Sequence, residues 1–169
     1  MDDLAVVIAF YVLAGITLLS ALMVSIVRDL IHAVLFLILS FIGVAGLYIT
    51  LSADFVAVAQ VLIYAGAISV LMLFAILLTP RSARDNSRVS YAAPISAIAG
   101  LLGAVIIFVG LNTEWAEVDR EIDGSTARAI GNALLDPYVL PFEIASVLLA
   151  IAMIGAIILV RPNDEEGDL

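Results

Sequence analysis

Five long runs of apolar residues, each free or nearly free of formal charge, dominate this chain. Each run is about 24 residues long, and about 20 apolar residues are enough for a helix to cross the hydrocarbon core of a bilayer. Too little of the 169-residue chain remains between the runs for a soluble domain. The pattern therefore predicts an all-α, polytopic membrane protein with five transmembrane helices. The runs cover residues 4–27, 30–53, 55–79, 89–113 and 137–160.

The composition agrees with this class and excludes several kinds of chemistry. Apolar residues make up 64% of the chain and charged residues 14%, unlike a soluble domain. The sequence has no cysteine and one histidine, so the chain alone cannot ligate an iron–sulfur cluster or build a multi-histidine haem or zinc site. It also has no serine–histidine–aspartate set, phosphate-binding loop or paired carboxylates within one helix. We therefore expect no bond chemistry from this chain alone.

The arginines indicate how the chain is oriented. All seven basic residues are arginines, and five of them follow the first, third and fifth runs. Because positive residues favour the cytoplasmic side, we expect the amino terminus outside and the carboxyl terminus in the cytoplasm. The sequence starts Met1-Asp2-Asp3 without a basic region, so the first run is expected to be a retained helix rather than a cleaved signal peptide. The net charge of −9 lies mostly in the ends and one loop and disfavours nucleic acid.

The connections between the first three runs are very short. Residues 28–29 and Asp54 are all that separate them, so the helices should be antiparallel neighbours, with Asp54 as the N-cap of the third helix. His32 lies in the first turn of the second helix, and one histidine cannot build a metal site, so a polar anchor at the membrane surface is expected. Gly43 and Gly46 permit close helix contact, although such glycines are also ordinary in membrane helices.

Residues 114–137 form the one sizeable loop outside the membrane. Asp123-Gly124 favours a turn, after which Ser125 can cap a short helix over residues 127–135. We expect this helix to lie against the outer membrane surface or a partner subunit. Pro141 suits the first turn of the fifth helix. The predicted organisation is one membrane domain over residues 1–162, with helices at about 4–27, 30–53, 55–79, 89–113 and 139–160, followed by a mobile acidic tail, 163–169.

The third run contains an unusual tyrosine. Tyr64 lies about 14 Å along the helix from Phe55, near mid-membrane, whereas membrane tyrosines usually lie at the headgroups. The hydrocarbon of the lipid cannot form a hydrogen bond with the Tyr64 hydroxyl, so protein or trapped water must supply the partner. Gln60 shares a helix face with Tyr64, and Gly66 would allow close backbone contact or a π-bulge that admits water. Alternatively, Gln60 and Tyr64 only hold helices together and Gly66 is a packing notch.

Glu143 is the only acidic residue inside a predicted span. A carboxylate within the membrane is a candidate for proton handling. If Pro141 starts the fifth helix, however, Glu143 lies in its first turn, where the positive end of the helix dipole would stabilise the ionised form. A proton-path role and a structural role as a cap or anchor therefore both stay open.

Two stretches resemble the J subunit of bacterial NADH:quinone oxidoreductase, respiratory complex I. Ala53–Leu71, with the sequence ADFVAVAQVLIYAGAISVL, resembles the third helix of that family. Pro137–Leu149, with the sequence PYVLPFEIASVLL, resembles its fifth helix, and Ile122–Gly124 and Ala129–Gly131 match the connecting loop. The resemblance extends over the whole chain, with the same five spans and orientation. The related complex of cyanobacteria and chloroplasts carries a similar subunit and is the nearest alternative.

The resemblance implies a subunit without cofactors in a proton-translocating enzyme of the bacterial inner membrane. Other subunits would bind NADH, FMN, iron–sulfur clusters and quinone, and the partners would be membrane chains of the A, H, K and N types. In the family, the third helix carries a π-bulge around Tyr64 and Gly66, and its change to regular α-helix is thought to open or close a water path for protons. Some members have a carboxylate at the position of Gln60. The implied gating and proton-path residues are Gln60, Tyr64, Gly66 and Glu143.

Two other classes stay open from the sequence. The chain could serve only in structure or assembly of the same complex. It could also be the homologous subunit of a related cation antiporter or of a membrane-bound hydrogenase complex.

Overall fold

The structure, a computed structural model, describes residues 2–79, 92–113 and 125–160. These residues form six helices and no strand, which confirms the all-α class. The acidic tail, the Asp123-Gly124 turn and most of the arginines that indicate orientation lie outside the described residues. The helices are α1 (Asp2–Ile26), α2 (Leu30–Thr50), α3 (Asp54–Leu78), α4 (Ala92–Asn112), α5 (Thr126–Leu135) and α6 (Val139–Val160).

Four of the six helices are long and apolar enough to cross a membrane: α1 from Leu4, α2, α3 and α6. In α4, the residues whose side chains the structure describes form the apolar stretch Ile98–Asn112. The chain is thus a multi-pass membrane protein, while a fifth span and the orientation stay predictions. The short helix α5 begins with the predicted cap, because the Ser125 hydroxyl accepts a hydrogen bond from the Arg128 N–H at 3.3 Å. Pro141 lies in the first turn of α6, also as predicted.

The start of α2 is fixed by an aspartate. Asp29 has an extended backbone, and its Oδ1 accepts hydrogen bonds from the N–H groups of Ile31 at 2.8 Å and His32 at 3.5 Å. These bonds satisfy donors that a helix start leaves unpaired. The same Oδ1 lies 3.6 Å from Nδ1 of His32. The hydrogen bond from Ile31 foremost, and then the contacts with His32, lower the pKa of Asp29 below its usual value.

The connection between α2 and α3 corrects one prediction. Helix α2 ends at Thr50, earlier than expected, because Ser52 has a left-handed backbone with a φ of 58°. The N–H of Ala53 then donates to the carbonyl oxygen of Tyr48 at 2.8 Å. The N-cap position of α3 therefore falls on Ala53, which has no side-chain hydrogen bond, and Asp54 is the first helical residue. The prediction of Asp54 as the N-cap is wrong.

Helices α1 and α2 pack closely through two glycines. A Cβ at Gly43 would collide with the Oγ1 of Thr17, and a Cβ at Gly46 would lie 2.9 Å from Cδ2 of Leu13. The Thr17 hydroxyl donates to the Leu13 carbonyl oxygen at 2.8 Å and is therefore paired within the apolar environment. Close packing through small residues is a main source of helix association in membranes. Of the two interpretations left open for Gly43 and Gly46, this geometry supports close helix contact.

Helix α2 lies between α1 and α3, contacting both. The few buried residues of the described chain belong to these three helices: Ser20, Val34, Ser40, Gly43, Ala45, Ala57 and Ser69. By contrast, α6 has no buried residue, and neither do the described side chains of α4. Helix α5 contacts both α3 and α6. The described residues thus form a packed three-helix unit, the short helix α5, and the long helices α4 and α6, whose apolar surfaces are open to lipid or other proteins.

Candidate functional site

Helix α3 changes its winding in the middle. Asp54–Ala59 and Ser69–Leu78 are α-helical, whereas the 9 residues Gln60–Ile68 between them are π-helical. Most π-helices are single-turn bulges with i→i+5 hydrogen bonds, and they are frequent at functional sites. This is where the family resemblance predicts a π-bulge, and the segment extends beyond Tyr64 and Gly66 on both sides.

The π-helical segment allows both halves of α3 to face α2. Ala57 and Ser69 are only 3% and 0% exposed, and both α-helical halves contact α2. In a regular α-helix these residues would lie about 120° apart, because their separation corresponds to about three and a third turns. A wider π-turn takes up about one extra residue, which rotates the following helix back by about 100°. The unusual winding is thus part of how the three helices pack.

Gly66 lies where the π-helical backbone leaves little space. A Cβ at this position would lie 3.3 Å from the carbonyl oxygen of Val61, five residues earlier. This separation is shorter than an ordinary van der Waals contact, so any side chain at position 66 would press on the backbone inside the same segment. Glycine therefore fits the π-helical conformation better than any larger residue does.

Tyr64 packs against α2 through its ring. Its ring centroid lies 5.6 Å from that of Phe41, with the ring planes at 72°, the edge-to-face arrangement that aromatic pairs favour. Tyr64 is 46% exposed. Among the residues described, its hydroxyl has no hydrogen-bond partner, and the same holds for the half-buried side chain of Gln60. Both polar groups are therefore available to water or to a neighbouring protein.

Ser69 is a residue of the site that the sequence did not single out. It is fully buried, and its hydroxyl donates to the carbonyl oxygen of Tyr64 at 2.7 Å. Its backbone N–H also bonds to the carbonyl oxygens of Tyr64 and Gly66. The signal in the sequence is a lone serine five residues after Tyr64 in a run without charge. Its importance depends on the winding, which residue types alone do not reveal.

The structure does not bring Glu143 to the other candidates. Glu143 lies in the first turns of α6 and is exposed. In the part of the chain that the structure describes, α6 contacts α5 but not α3. Helix α5 contacts both of them, and its residue Thr126 accepts a hydrogen bond through Oγ1 from the Phe55 N–H at 3.4 Å. Glu143 therefore belongs to a separate surface of this chain.

The chemistry available at the π-helical segment is limited to hydrogen bonding. Gln60–Ile68 contains an amide and a phenol but no acidic or basic residue. Across residues 2–79, 92–113 and 125–160, no group of three or more histidine, cysteine, aspartate or glutamate side chains could hold a metal ion. The segment can orient water or change its packing.

These features define a class: a multi-pass helical membrane protein with a π-helical segment inside one span and no acidic or basic residue within that segment. Comparison of the sequence with protein families narrows the class. A family model described as NADH-ubiquinone/plastoquinone oxidoreductase chain 6 matches residues 20–159. The chain belongs to this family, which confirms the resemblance noted from its third and fifth helices.

Similar proteins come from several lineages. The chain is 41% identical over 161 residues to NAD(P)H-quinone oxidoreductase subunit 6 of the organellar chromatophore of Paulinella chromatophora, covering 92% of this chain and 78% of the relative. It is 38% identical over 170 residues to NAD(P)H-quinone oxidoreductase chain 6 of Leptolyngbya boryana, with coverage of 96% and 85%. It is also 38% identical over 157 residues to F(420)H(2) dehydrogenase subunit J of Methanosarcina mazei, with coverage of 90% and 89%.

Proposed function

We propose that this chain is a membrane subunit, without redox centres, of a proton-translocating NADH:quinone oxidoreductase of the complex I type. Family membership and the names of the relatives support the assignment to such an enzyme. Other subunits bind NADH, FMN, the iron–sulfur clusters and quinone. Because the relatives are named for NAD(P)H and for F(420)H(2), assays of the purified complex with each of these donors test the choice of NADH.

The subunit lies in the bacterial inner membrane and crosses it five times. Its amino terminus is outside and its carboxyl terminus is cytoplasmic, as the arginines indicate. Its partners are membrane chains of the A, H, K and N types. The open apolar surfaces of α4 and α6 support this arrangement, since such surfaces must be covered by lipid or by other subunits.

Within the complex, α3 works as a gate that couples quinone reduction to proton movement. The observation that carries this proposal is the π-helical segment Gln60–Ile68 inside a membrane span. If that segment becomes a regular α-helix, the second half of α3 turns by about 100° relative to the first half. The turn moves Ser69 from its buried position and changes the packing of Tyr64. Water then enters or leaves the space beside Tyr64 and Gln60.

Replacement of Gly66 by valine tests this gate in the intact complex. The added side chain crowds the Val61 carbonyl in the π-helical state, so the helix is held in the other state and proton-coupled quinone reduction falls severalfold. The measurements are quinone reduction and proton uptake in proteoliposomes. Gly15→Val is the matched control, because a Cβ at Gly15 meets nothing within 4 Å. A Gly66→Val complex that assembles and pumps at the full rate contradicts the gate.

A purely structural role is the second candidate, favoured by the close packing of α1, α2 and α3. It predicts that substitutions at Tyr64 and Gly66 change the yield of assembled complex but not the turnover of each assembled complex. Yield and turnover measured on the same preparations separate the two functions.

A further inference from the structure

We infer that Ser69 is a positioning residue whose hydroxyl holds α3 in its π-helical winding. The effect on winding follows from the geometry of this chain alone, and only its consequence for proton coupling rests on the proposed function.

The hydrogen bond of Ser69 differs in span from comparable bonds elsewhere in the described chain. Serine and threonine hydroxyls in regular helices reach back to the carbonyl three or four residues earlier. Thr17, Thr79 and Thr113 bond to carbonyls four residues earlier, and Thr50 and Ser146 to carbonyls three residues earlier. Ser69 reaches five residues back, to Tyr64, at 2.7 Å. This bond needs the wider turn of the π-helix.

The Tyr64 carbonyl receives two donors from the same residue. In a regular α-helix, this carbonyl would accept from the N–H of Ile68, four residues later. Here it accepts from the N–H and from the hydroxyl of Ser69. Ser69 is 0% exposed, so water cannot replace either bond while α3 stays packed on α2. Unpaired polar groups in such a place are unfavourable.

A change to regular α-helix would break the bond of the hydroxyl to Tyr64. The turn would tighten, the Tyr64 carbonyl would pair with Ile68, and the Ser69 hydroxyl would need the carbonyl of Ala65 or Gly66. The serine therefore stabilises the π-helical state relative to the α-helical state. Alanine at position 69 removes this preference and still fits the buried site, because it is smaller than serine.

The test is a structure of the intact complex by electron microscopy with Ser69→Ala. The expected result is a severalfold loss of particles with π-helical winding over residues 60–68, with Leu71 turned by about 100° in the remainder. The matched control is Ser40→Ala, which removes another buried serine, 8% exposed, from the same three-helix unit. It should leave the winding unchanged. A Ser69→Ala complex with the wild-type proportion of π-helix overturns the inference.

A second variant keeps the inference testable if the alanine variant does not assemble. Ser69→Cys has nearly the same shape and a weaker hydrogen-bond donor. It should lower the π-helical fraction by less than alanine, and an unchanged fraction again overturns the inference.

Activity measured on the same complexes distinguishes this inference from the gate. If Ser69→Ala shifts α3 to regular α-helix while proton coupling stays at the wild-type level, the gate proposal fails and the role of Ser69 stands. If the winding does not shift, the role of Ser69 fails and the gate proposal is unaffected.

Discussion

The ring of Tyr64 on α3 lies edge-on against the ring of Phe41 on α2, with 5.6 Å between their centroids. This contact depends on the ring and not on the phenol hydroxyl, which has no partner within the described residues. Tyr64→Phe should therefore keep the helix contact and the yield of complex, while proton pumping falls severalfold because the group that orders water is lost. Proton uptake per quinone reduced, in proteoliposomes, measures this effect. Unchanged coupling would show that the hydroxyl is not on the water path.

Phe41→Leu is the converse variant. It removes the aromatic contact but leaves the hydroxyl of Tyr64 in place. Aromatic pairs contribute about 0.5–1.5 kcal/mol beyond the area that they bury, so the thermal stability of the complex should fall modestly. Phe41→Leu should lower the melting temperature and leave the number of protons taken up per quinone reduced unchanged. Tyr64→Phe should lower that proton ratio and leave the melting temperature unchanged. Identical effects of the two variants would argue that Tyr64 serves packing alone.

Gly66→Ala should have a smaller effect than Gly66→Val. Its Cβ needs only a shift of a few tenths of an ångström relative to the Val61 carbonyl oxygen, which lies 3.3 Å away. Alanine also favours regular α-helix over glycine by about 1 kcal/mol. Quinone-coupled pumping should therefore fall in the order glycine, alanine, valine. A valine variant as active as wild type would break this order and contradict the steric argument.

Gly43→Ala should weaken the packing of α1 on α2. The new methyl group would collide with the Thr17 hydroxyl, and overpacking of this kind typically costs about 1–3 kcal/mol. The yield of complex and its melting temperature should both fall. Removing the obstacle in the double variant Gly43→Ala with Thr17→Ala should restore part of the loss. If the double variant is no more stable than Gly43→Ala alone, the loss does not come from a clash with the Thr17 hydroxyl.

Glu143→Gln should be mild. The side chain is exposed, lies in the first turns of α6 and has no contact with the π-helical segment among the described residues. The helix dipole at this end requires only a polar group for a structural role. Proton pumping and assembly should both stay near wild type. A severe loss of pumping in a fully assembled complex would instead place Glu143 on the proton path.

Asp29 predicts a dependence of stability on acid pH. Hydrogen bonding lowers its pKa from the usual 3.8, so its capping contribution is fully present above that value and is lost as the pH falls through the lower folded-state pKa. Asp29→Asn keeps a capping side chain but does not titrate. The difference in melting temperature between wild type and Asp29→Asn should therefore change as the pH falls below about 4. A difference that stays the same down to about pH 2 would contradict this assignment.

The sequence predicted the helices better than their winding or their ends. Long runs without charge locate the membrane spans. Ser125 marks the start of α5 because its hydroxyl caps that helix, and Pro141 marks the start of α6 because proline suits a first turn. The prediction of Asp54 as the N-cap of α3 was wrong because the left-handed backbone at Ser52 ends α2 early. A serine in the sequence does not indicate that backbone conformation.

The extent of the π-helix and the role of Ser69 were beyond sequence reasoning for a physical reason. Regular and π-helical windings differ in which carbonyl each N–H selects, and both suit the same apolar residues. The choice depends on packing against α2, where Ala57 and Ser69 must both be buried. The mid-membrane Tyr64 and the nearby Gly66 pointed to this place in α3, and the family resemblance added the expectation of a π-bulge there.

The glycine contact between α1 and α2 has a mechanical consequence. With Gly43 in direct contact with Thr17, α2 has no free space in which to move closer to α1. A change of winding in α3 would therefore act mainly by rotating Ser69–Leu78 about the helix axis. A protein beside this half of α3 would then meet a different set of side chains.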